Sequence, residues 1–478
     1  MAVVSMPESL QQLIQNVLSM RCETQTIEVK AASQGAPRVY DTLSSFSNQE
    51  EGGAIVFGVD EANGFELCGV YDAQALQKSI VEQCREMEPQ IRPFIQTGEL
   101  DGKTIVVAHI RGLMMGERPA YRRTAGMLKG SYVRVGDADE RMTDAELYEI
   151  DAFKKGVFDD VSVHPDASRS MLDVDSITRY VLDARRDRPR LEGRSDEDVL
   201  RLTGVLRDDA PTLAGMMVLG DYPQRLYRNC CITAVAVAGE RMGAGDEAPR
   251  FLDNRAIEGT IPQMLEDAWS FVARNVRVSS VVRGLKRDNV PEYPEVAVRE
   301  MIANALVHRD YGPYAIGTPV RLVVYSDRIE CINPGGIFGG NTVEALGRES
   351  LPTRNPTLIS LLEITHDVEN RHSGIPAMRD AMHAVGLRGP EFLERRGTFT
   401  CTLYGGRAEK SDEVVADEER ILDFCSEPRS REEIAEELGI RVETARRTRI
   451  LPLVRAGKLA LTMPDVPRSK FQRYVRAL

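Results

Sequence analysis

The stretch Pro294–Asp310, PEVAVREMIANALVHRD, limits the fold more than any other part of the chain. Pro294 suits the first turn of a helix, where a missing N–H costs nothing. Val298, Met301, Ile302, Ala305 and Leu306 recur at helical spacing and make one apolar stripe. Glu300, Asn304 and His308 fall four residues apart, so they share a neighbouring face. An amide oxygen there can ligate Mg²⁺, and a carboxylate one turn away can take a proton from an attacking water. Taken alone, such a pair is more often the solvated face of a helix. A hairpin is expected next, with strands over 320–325 and 328–332, running into Asn333, Pro334, Gly335 and Gly336. Glycines let a backbone adopt φ > 0 and approach a ligand closely. A second bend at Gly374 precedes an expected helix over 376–385, and amides at a helix N-terminus attract phosphate.

The length, 478 residues, argues for two to four domains. Residues 1–155 read as one α/β unit. Its strands are expected over 26–30, 54–59, 65–70, 105–110 and 131–135, with Val39, Leu43 and Phe46 on one helical face. Residues 156–210 read as a helical linker with the charged stretch 185–190, and residues 211–404 as a second α/β unit. That unit has a strand over 231–238, a helix near 261–272 and a closing strand over 398–404. A polar, glycine-led linker over 405–415 leads to a small third unit, 416–478.

Several classes are disfavoured. The eight cysteines, at 22, 68, 84, 230, 231, 331, 401 and 425, form no CxxC pair and read as reduced core residues rather than zinc ligands. No apolar run reaches the ~18 residues of a membrane span, and Met1–Leu10 lacks the features of a secretory signal, which points to the cytoplasm. The net charge of −12 excludes a wholly basic nucleic-acid coat but not a local basic face. No G-x-x-x-x-G-K-[ST] sequence is present, which argues against a P-loop motor.

Four motifs in order, over roughly residues 290–404, resemble the divergent GHKL ATPase domain of bacterial helicase-like and HTH-containing regulators. They are Glu300 to Tyr311 (E-x-x-x-N-A-x-x-H-R-D-Y), Asp327 to Gly336 (D-R-I-E-x-x-N-P-G-G), Arg354 to Pro356, and Glu369 to Ile375. The resemblance implies a Bergerat-type α/β sandwich with ATP between sheet and lid. It places Asn304 on Mg²⁺ and Glu300 on the hydrolytic water. It also places Asn333, Gly335 and Gly336 on the adenine side, Gly374 on the phosphates, and His308, Arg309, Arg354 and Arg371 around the nucleotide. Arg309 and Asp310 are equally open to capping the helix and pairing with each other. Relatives such as gyrase carry Asp where this chain has Asn333. That departure favours binding over fast hydrolysis and implies at most a weak Mg-dependent ATPase.

In the N-terminal unit, Glu28 to Lys30, Leu43 to Asn48, Gly52 to Asp60 and Lys129 to Gly136 resemble the Schlafen AlbA-like domain. That family is associated with nucleic-acid binding, and some members cut RNA. Glu28, Lys30 and Asp41 would then form a metal-assisted cleavage centre; the plainer reading of Glu28 and Lys30 is a surface pair. Arg111, Arg118, Arg122, Arg123, Lys129 and Arg134 are the densest basic set here, suited to a phosphate backbone or to a solvated face. The C-terminal unit resembles a winged helix-turn-helix. Ser430 and Glu433 make a capping box, a third helix is expected over 442–451, and a two-stranded wing over 458–462 and 471–475. Residues 441–478 hold ten Lys or Arg against Glu443 and Asp465. Arg446, Arg447 and Arg449 would face a DNA major groove, and Pro452 is expected to stop or kink the helix.

The expected fold class is therefore α/β (α+β): an AlbA-like domain, a GHKL-type sandwich and a winged helix. The expected function is an ATP- and DNA-binding transcriptional regulator, with RNA as another partner, no membrane, and homo-oligomerisation left open. The alternatives are a metal-dependent RNase or an ATPase acting on nucleic acid, and an adaptor with a decayed ATP site.

Overall fold

The computed structural model describes residues 8–242, 251–283, 286–339, 342–348, 351–365, 374–395, 397–405, 420–438, 442–445, 450–455, 458–462 and 472–476. The fold is mixed α/β and divides into two compact units, Met1–Gly405 and Gly406–Leu478.

The first unit opens with a four-stranded sheet in the order Ile27–Lys30, Gly53–Phe57, Lys103–Ile110, Phe94–Leu100. The first pair is parallel and the others antiparallel. Side chains along Gly53–Phe57 alternate between two covered faces. Ile55 and Phe57 pack with Leu43, Phe46, Leu76 and Ile80 of the helices Tyr40–Ser47 and Ala73–Arg85. Ala54 and Val56 pack with Leu10, Ile14 and Val17 of the helix Glu8–Met20, an element outside the sequence expectation. Burial on both faces explains the continuous apolar run of this strand. Each such fully buried aliphatic side chain contributes roughly 1.5–3 kcal/mol. A Cβ at Gly53 would come within 2.6 Å of the Phe46 ring, so only glycine fits there. Buried Asn48 accepts from the Ala120 N–H at 2.6 Å and donates to the carbonyls of Ala120 and Tyr132 at 2.9 and 3.0 Å. The Phe46–Asn48 motif thus ties this helix to the sheet and to the later strand Tyr132–Val135.

Residues 156–210, expected as a linker, supply the helices Val174–Asp187 and Asp196–Leu202. Their Tyr180, Val181, Ala184, Val199 and Leu200 are buried in the same core as the central sheet. That sheet is six-stranded, in the order Asp253–Ile257, Ile232–Ala236, Val320–Val324, Arg328–Pro334, Thr398–Tyr404, Glu391–Arg395. Only the pairing of Ile232–Ala236 with Val320–Val324 is parallel. The helices Ile261–Asn275, Glu295–Val307 and Gly374–Ala384 share one core with this sheet, through Phe271, Met301, Met378, Leu322 and Ile329 among others.

The second unit holds a three-stranded antiparallel sheet, Arg429–Ser430, Arg473–Arg476, Leu459–Leu461. The expected capping box forms: Glu433 N–H donates to Ser430 Oγ, and Ser430 N–H to Glu433 Oε2. Ile421, Cys425, Ile434, Ala445, Leu453, Leu459 and Tyr474 form its core. Pro452 lies at the second position of the short helix Leu451–Arg455, where proline is tolerated. Arg446, Arg447 and Arg449 lie outside the described residues. All eight cysteines are free, and six are buried; Cys22, exposed, departs from the core expectation. Among the described residues no helix is long and apolar enough to cross a membrane.

Candidate functional site

The helix Glu295–Val307 presents Glu300 and Asn304 to a cavity of about 300 Å³. Asn304 Nδ2 donates to Glu300 Oε1 at 3.0 Å. That bond leaves the Asn304 carbonyl oxygen as the group able to face a cation. Another part of the wall comes from Arg328–Pro334. Ile329, Cys331 and Asn333 alternate onto its buried face, and the last two line the cavity. Asn333 is 5% exposed, and its Oδ1 has no hydrogen-bond partner among the described residues. A buried oxygen left so costs about 1–3 kcal/mol, which a donor on a ligand would offset. Ile337, Phe338, Leu351, Ile375, Phe392 and Phe399 give the remaining wall an apolar, aromatic character suited to a flat heteroaromatic ring.

His308 also lines this cavity. Its side chain is exposed, and desolvation by the neighbouring protein lowers its pKa to about 4. The imidazole is neutral at pH 7 and supplies a hydrogen bond, not a positive charge. Gly374 opens the helix Gly374–Ala384, and a Cβ there would overlap the Glu300 carboxylate. The N-terminus of that helix therefore already faces one anion, a favourable pairing with the helix dipole. A Cβ on Gly336, another lining residue, would overlap the Glu394 carboxylate.

Three expectations need correction. Arg309 is fully buried and does not line the cavity; it donates to the carbonyls of Asn229, Ala315 and Thr318 at 3.1, 3.4 and 2.6 Å. It is a structural pin rather than a ligand group, and Asp310 pairs instead with Arg354, at 3.4 Å. Gly335, with φ +96, serves close backbone passage beside Asp310 and is not part of the cavity wall. Asn355 donates from Nδ2 to the carbonyls of Val307 and Arg309, both at 2.8 Å, closing the C-terminus of the helix Glu295–Val307. Arg354 does line the cavity. Arg371 lies outside the described residues.

In the N-terminal part, Glu28, Lys30 and Asp41 line a second cleft of about 570 Å³, together with Arg122 and Lys129. Glu28 is not a surface residue: it is 5% exposed and paired with Lys30 and, at 2.8 Å, with Arg134. Burial raises the pKa of the Asp41 carboxyl, and that of nearby Glu23 to about 7. Arg134 and Arg118 are buried and so leave the expected basic face. Arg122 stacks over the Tyr40 ring at 3.9 Å, and Arg123 is exposed beside Glu88. Among the described residues no group of three or more His, Cys, Asp or Glu could hold a metal ion.

A family model described as "Schlafen, AlbA_2" matches residues 23–143. A second, HATPase_c_4, described as "Putative ATP-dependent DNA helicase recG C-terminal", matches residues 317–403. The chain carries a Schlafen AlbA_2 domain and a HATPase_c_4 domain. The cavity's strand Arg328–Pro334 lies within the HATPase_c_4 match, whereas Glu300, Asn304 and His308 lie just before it. Among solved structures, the DIP2311 protein from Corynebacterium diphtheriae is 20% identical over 94% of this chain and 93% of that one, with a TM-score of 0.41. The N-terminal domain of a RecG-related protein from Nitrosomonas europaea is 27% identical over 28% of this chain and 92% of that one, with a TM-score of 0.23. No curated protein matches the chain.

Two contributors to the site escaped the sequence reading. Glu149, on the helix Asp144–Lys155 that follows the AlbA_2 domain, pairs with Arg354 at 3.0 Å. The Thr143–Glu146 capping box could have revealed the helix, but nothing local reveals the partner. Asp160 is fully buried, and its Oδ2 accepts from the N–H groups of Thr357 and Leu358, opening the helix Pro356–Ile364.

Proposed function

We propose that this chain is a nucleotide-responsive, nucleic-acid-binding regulator whose central cavity holds ATP with Mg²⁺. The observation that carries this reading is the buried Asn333 oxygen, without a partner among the described residues, lining the same cavity as the Glu300–Asn304 pair. The donor set fits the group. Asn333 can accept from an adenine amino group, the aromatic wall can cover the base, and the Asn304 carbonyl can ligate the magnesium ion. Glu300 would orient a water, with slow turnover at most, since its carboxylate is already engaged by Asn304 and set against Gly374. Arg354 is the described cation of the cavity wall suited to a phosphate oxygen.

On the same reading the C-terminal unit is a winged helix contacting DNA, and the cleft bearing Arg122 and Lys129 touches a nucleic-acid backbone. The domain limits 1–155, 211–404 and 416–478 belong to this proposal. An RNase at Glu28, Lys30 and Asp41 is a second reading, supported by their sharing one cleft. The pairing of Glu28 with both Lys30 and Arg134 speaks against it, because it leaves that carboxylate little charge for a metal.

The test is calorimetric titration of ATP, with and without Mg²⁺, into the wild type and Asn304→Ala. Wild type should gain about tenfold in affinity from Mg²⁺, or about 1.4 kcal/mol, and the variant should lose that gain. Equal affinities under all four conditions would remove the proposed metal role.

A further inference from the structure

The cavity wall at Arg354 is held from outside the HATPase_c_4 domain. Arg354 is 7% exposed and donates to Glu149 Oε1 at 3.0 Å and to the Gly336 carbonyl at 3.4 Å. Asp310 Oδ2 lies 3.4 Å from the other terminal nitrogen of Arg354, and the Arg354 Nε has no partner among the described residues. The guanidinium lies over the Phe338 ring at 4.9 Å, and that ring meets Phe153 at 5.5 Å. Glu149 and Phe153 sit one turn apart on the helix Asp144–Lys155, so one helix face grips two cavity-lining residues.

Among the described residues the charges around Arg354 are unbalanced. Glu149, Asp310 and Glu394 all draw on this one guanidinium. Burial raises the pKa of the Glu149 carboxyl, and Arg354 pulls it part of the way back. A phosphate group reaching Arg354 from the cavity would add negative charge to a cluster already short of cations. Guanidinium forms strong paired bonds to either partner, and its fork cannot serve all of them at full strength.

We propose that Arg354 is a shared cation, for which Glu149 of the helix Asp144–Lys155 and an anionic ligand in the cavity compete. Ligand binding loosens the grip of that helix on the cavity wall. By reciprocity, whatever holds the helix in place weakens the ligand by the same factor. The helix follows directly on the AlbA_2 domain, so the competition gives nucleotide occupancy a route to the nucleic-acid cleft. The inference rests on the nucleotide reading of the cavity.

The test uses the full chain and Mg·ATP as the probe, at physiological salt. Affinity is measured for wild type, Glu149→Gln, Glu149→Ala and Asp151→Asn, an exposed control on the same helix paired with Lys155. Both Glu149 variants should bind about 5–20-fold tighter, and the control should match wild type. In the wild type, Mg·ATP should speed tryptic cleavage after exposed Lys154 and Lys155. Binding by wild type with no gain in the Glu149 variants, or an unchanged cleavage rate, overturns the competition and leaves the nucleotide site standing. No binding by wild type overturns both.

Discussion

Replacing Asp160 with Asn should change how stability depends on pH, not merely its level. Asp160 is fully buried, and its Oδ2 accepts from two backbone N–H groups while Oδ1 has no partner among the described residues. Burial pushes its pKa up from 3.8 to about 6, against the pull of those N–H groups. Between these values the folded chain holds a proton that the unfolded chain has released. The group's stabilising contribution is therefore full below pH 3.8 and is lost as the pH rises through about 6. A gap of about two pH units corresponds to about 3 kcal/mol. Asparagine cannot titrate, and its fixed cost or benefit cancels when only the pH trend is compared. Urea unfolding at pH 4, 5, 6 and 7.5 can be followed by the single tryptophan, Trp269, which packs against the central core. The stability of wild type minus that of Asp160→Asn should fall by about 2.4 kcal/mol from pH 4 to pH 7.5, the remainder being lost below pH 4. A flat difference, or one that rises with pH, would refute the assignment of Asp160 as a carboxyl protonated in mildly acidic solution.

Arg309→Ala should cost roughly 3–5 kcal/mol in the same unfolding assay, because it strips donors from three carbonyls and opens a void. A loss below about 1 kcal/mol would contradict its role as a pin. Gly374→Ala should leave the chain folded, with a cost of about 1–3 kcal/mol, because the Glu300 carboxylate it displaces is the far end of a flexible side chain. That displacement breaks the bond from Asn304, so Mg·ATP affinity should drop at least about tenfold; unchanged affinity would separate Glu300 from the ligand.

The central helix and hairpin were legible because periodicity and turn residues act locally. Val298, Met301 and Ile302 marked the buried stripe, and Glu300 and Asn304 marked the cavity side. Arg309 was not legible: an arginine beside a motif reads as a ligand until the carbonyls of Asn229, Ala315 and Thr318 are seen to surround it. The expected Glu28–Lys30 pair forms, but its burial was not legible for a related reason, since the further partner of Glu28, Arg134, is far away in the chain. Residues 156–210 were read as a linker because their charged faces are dense, while Tyr180, Val181 and Val199 gain their meaning only from the core they enter. The alternation of Ile55 and Val56 into two different cores likewise needed helices on both sides of the sheet to become visible.

The most direct test of the nucleotide reading is amide hydrogen exchange across the whole chain, with and without Mg·ATP. Protection should concentrate in residues 295–308, 328–338 and 351–354, the segments that meet around Asn304 and Asn333. Protection absent from all three, or confined to other parts of the chain, would contradict it.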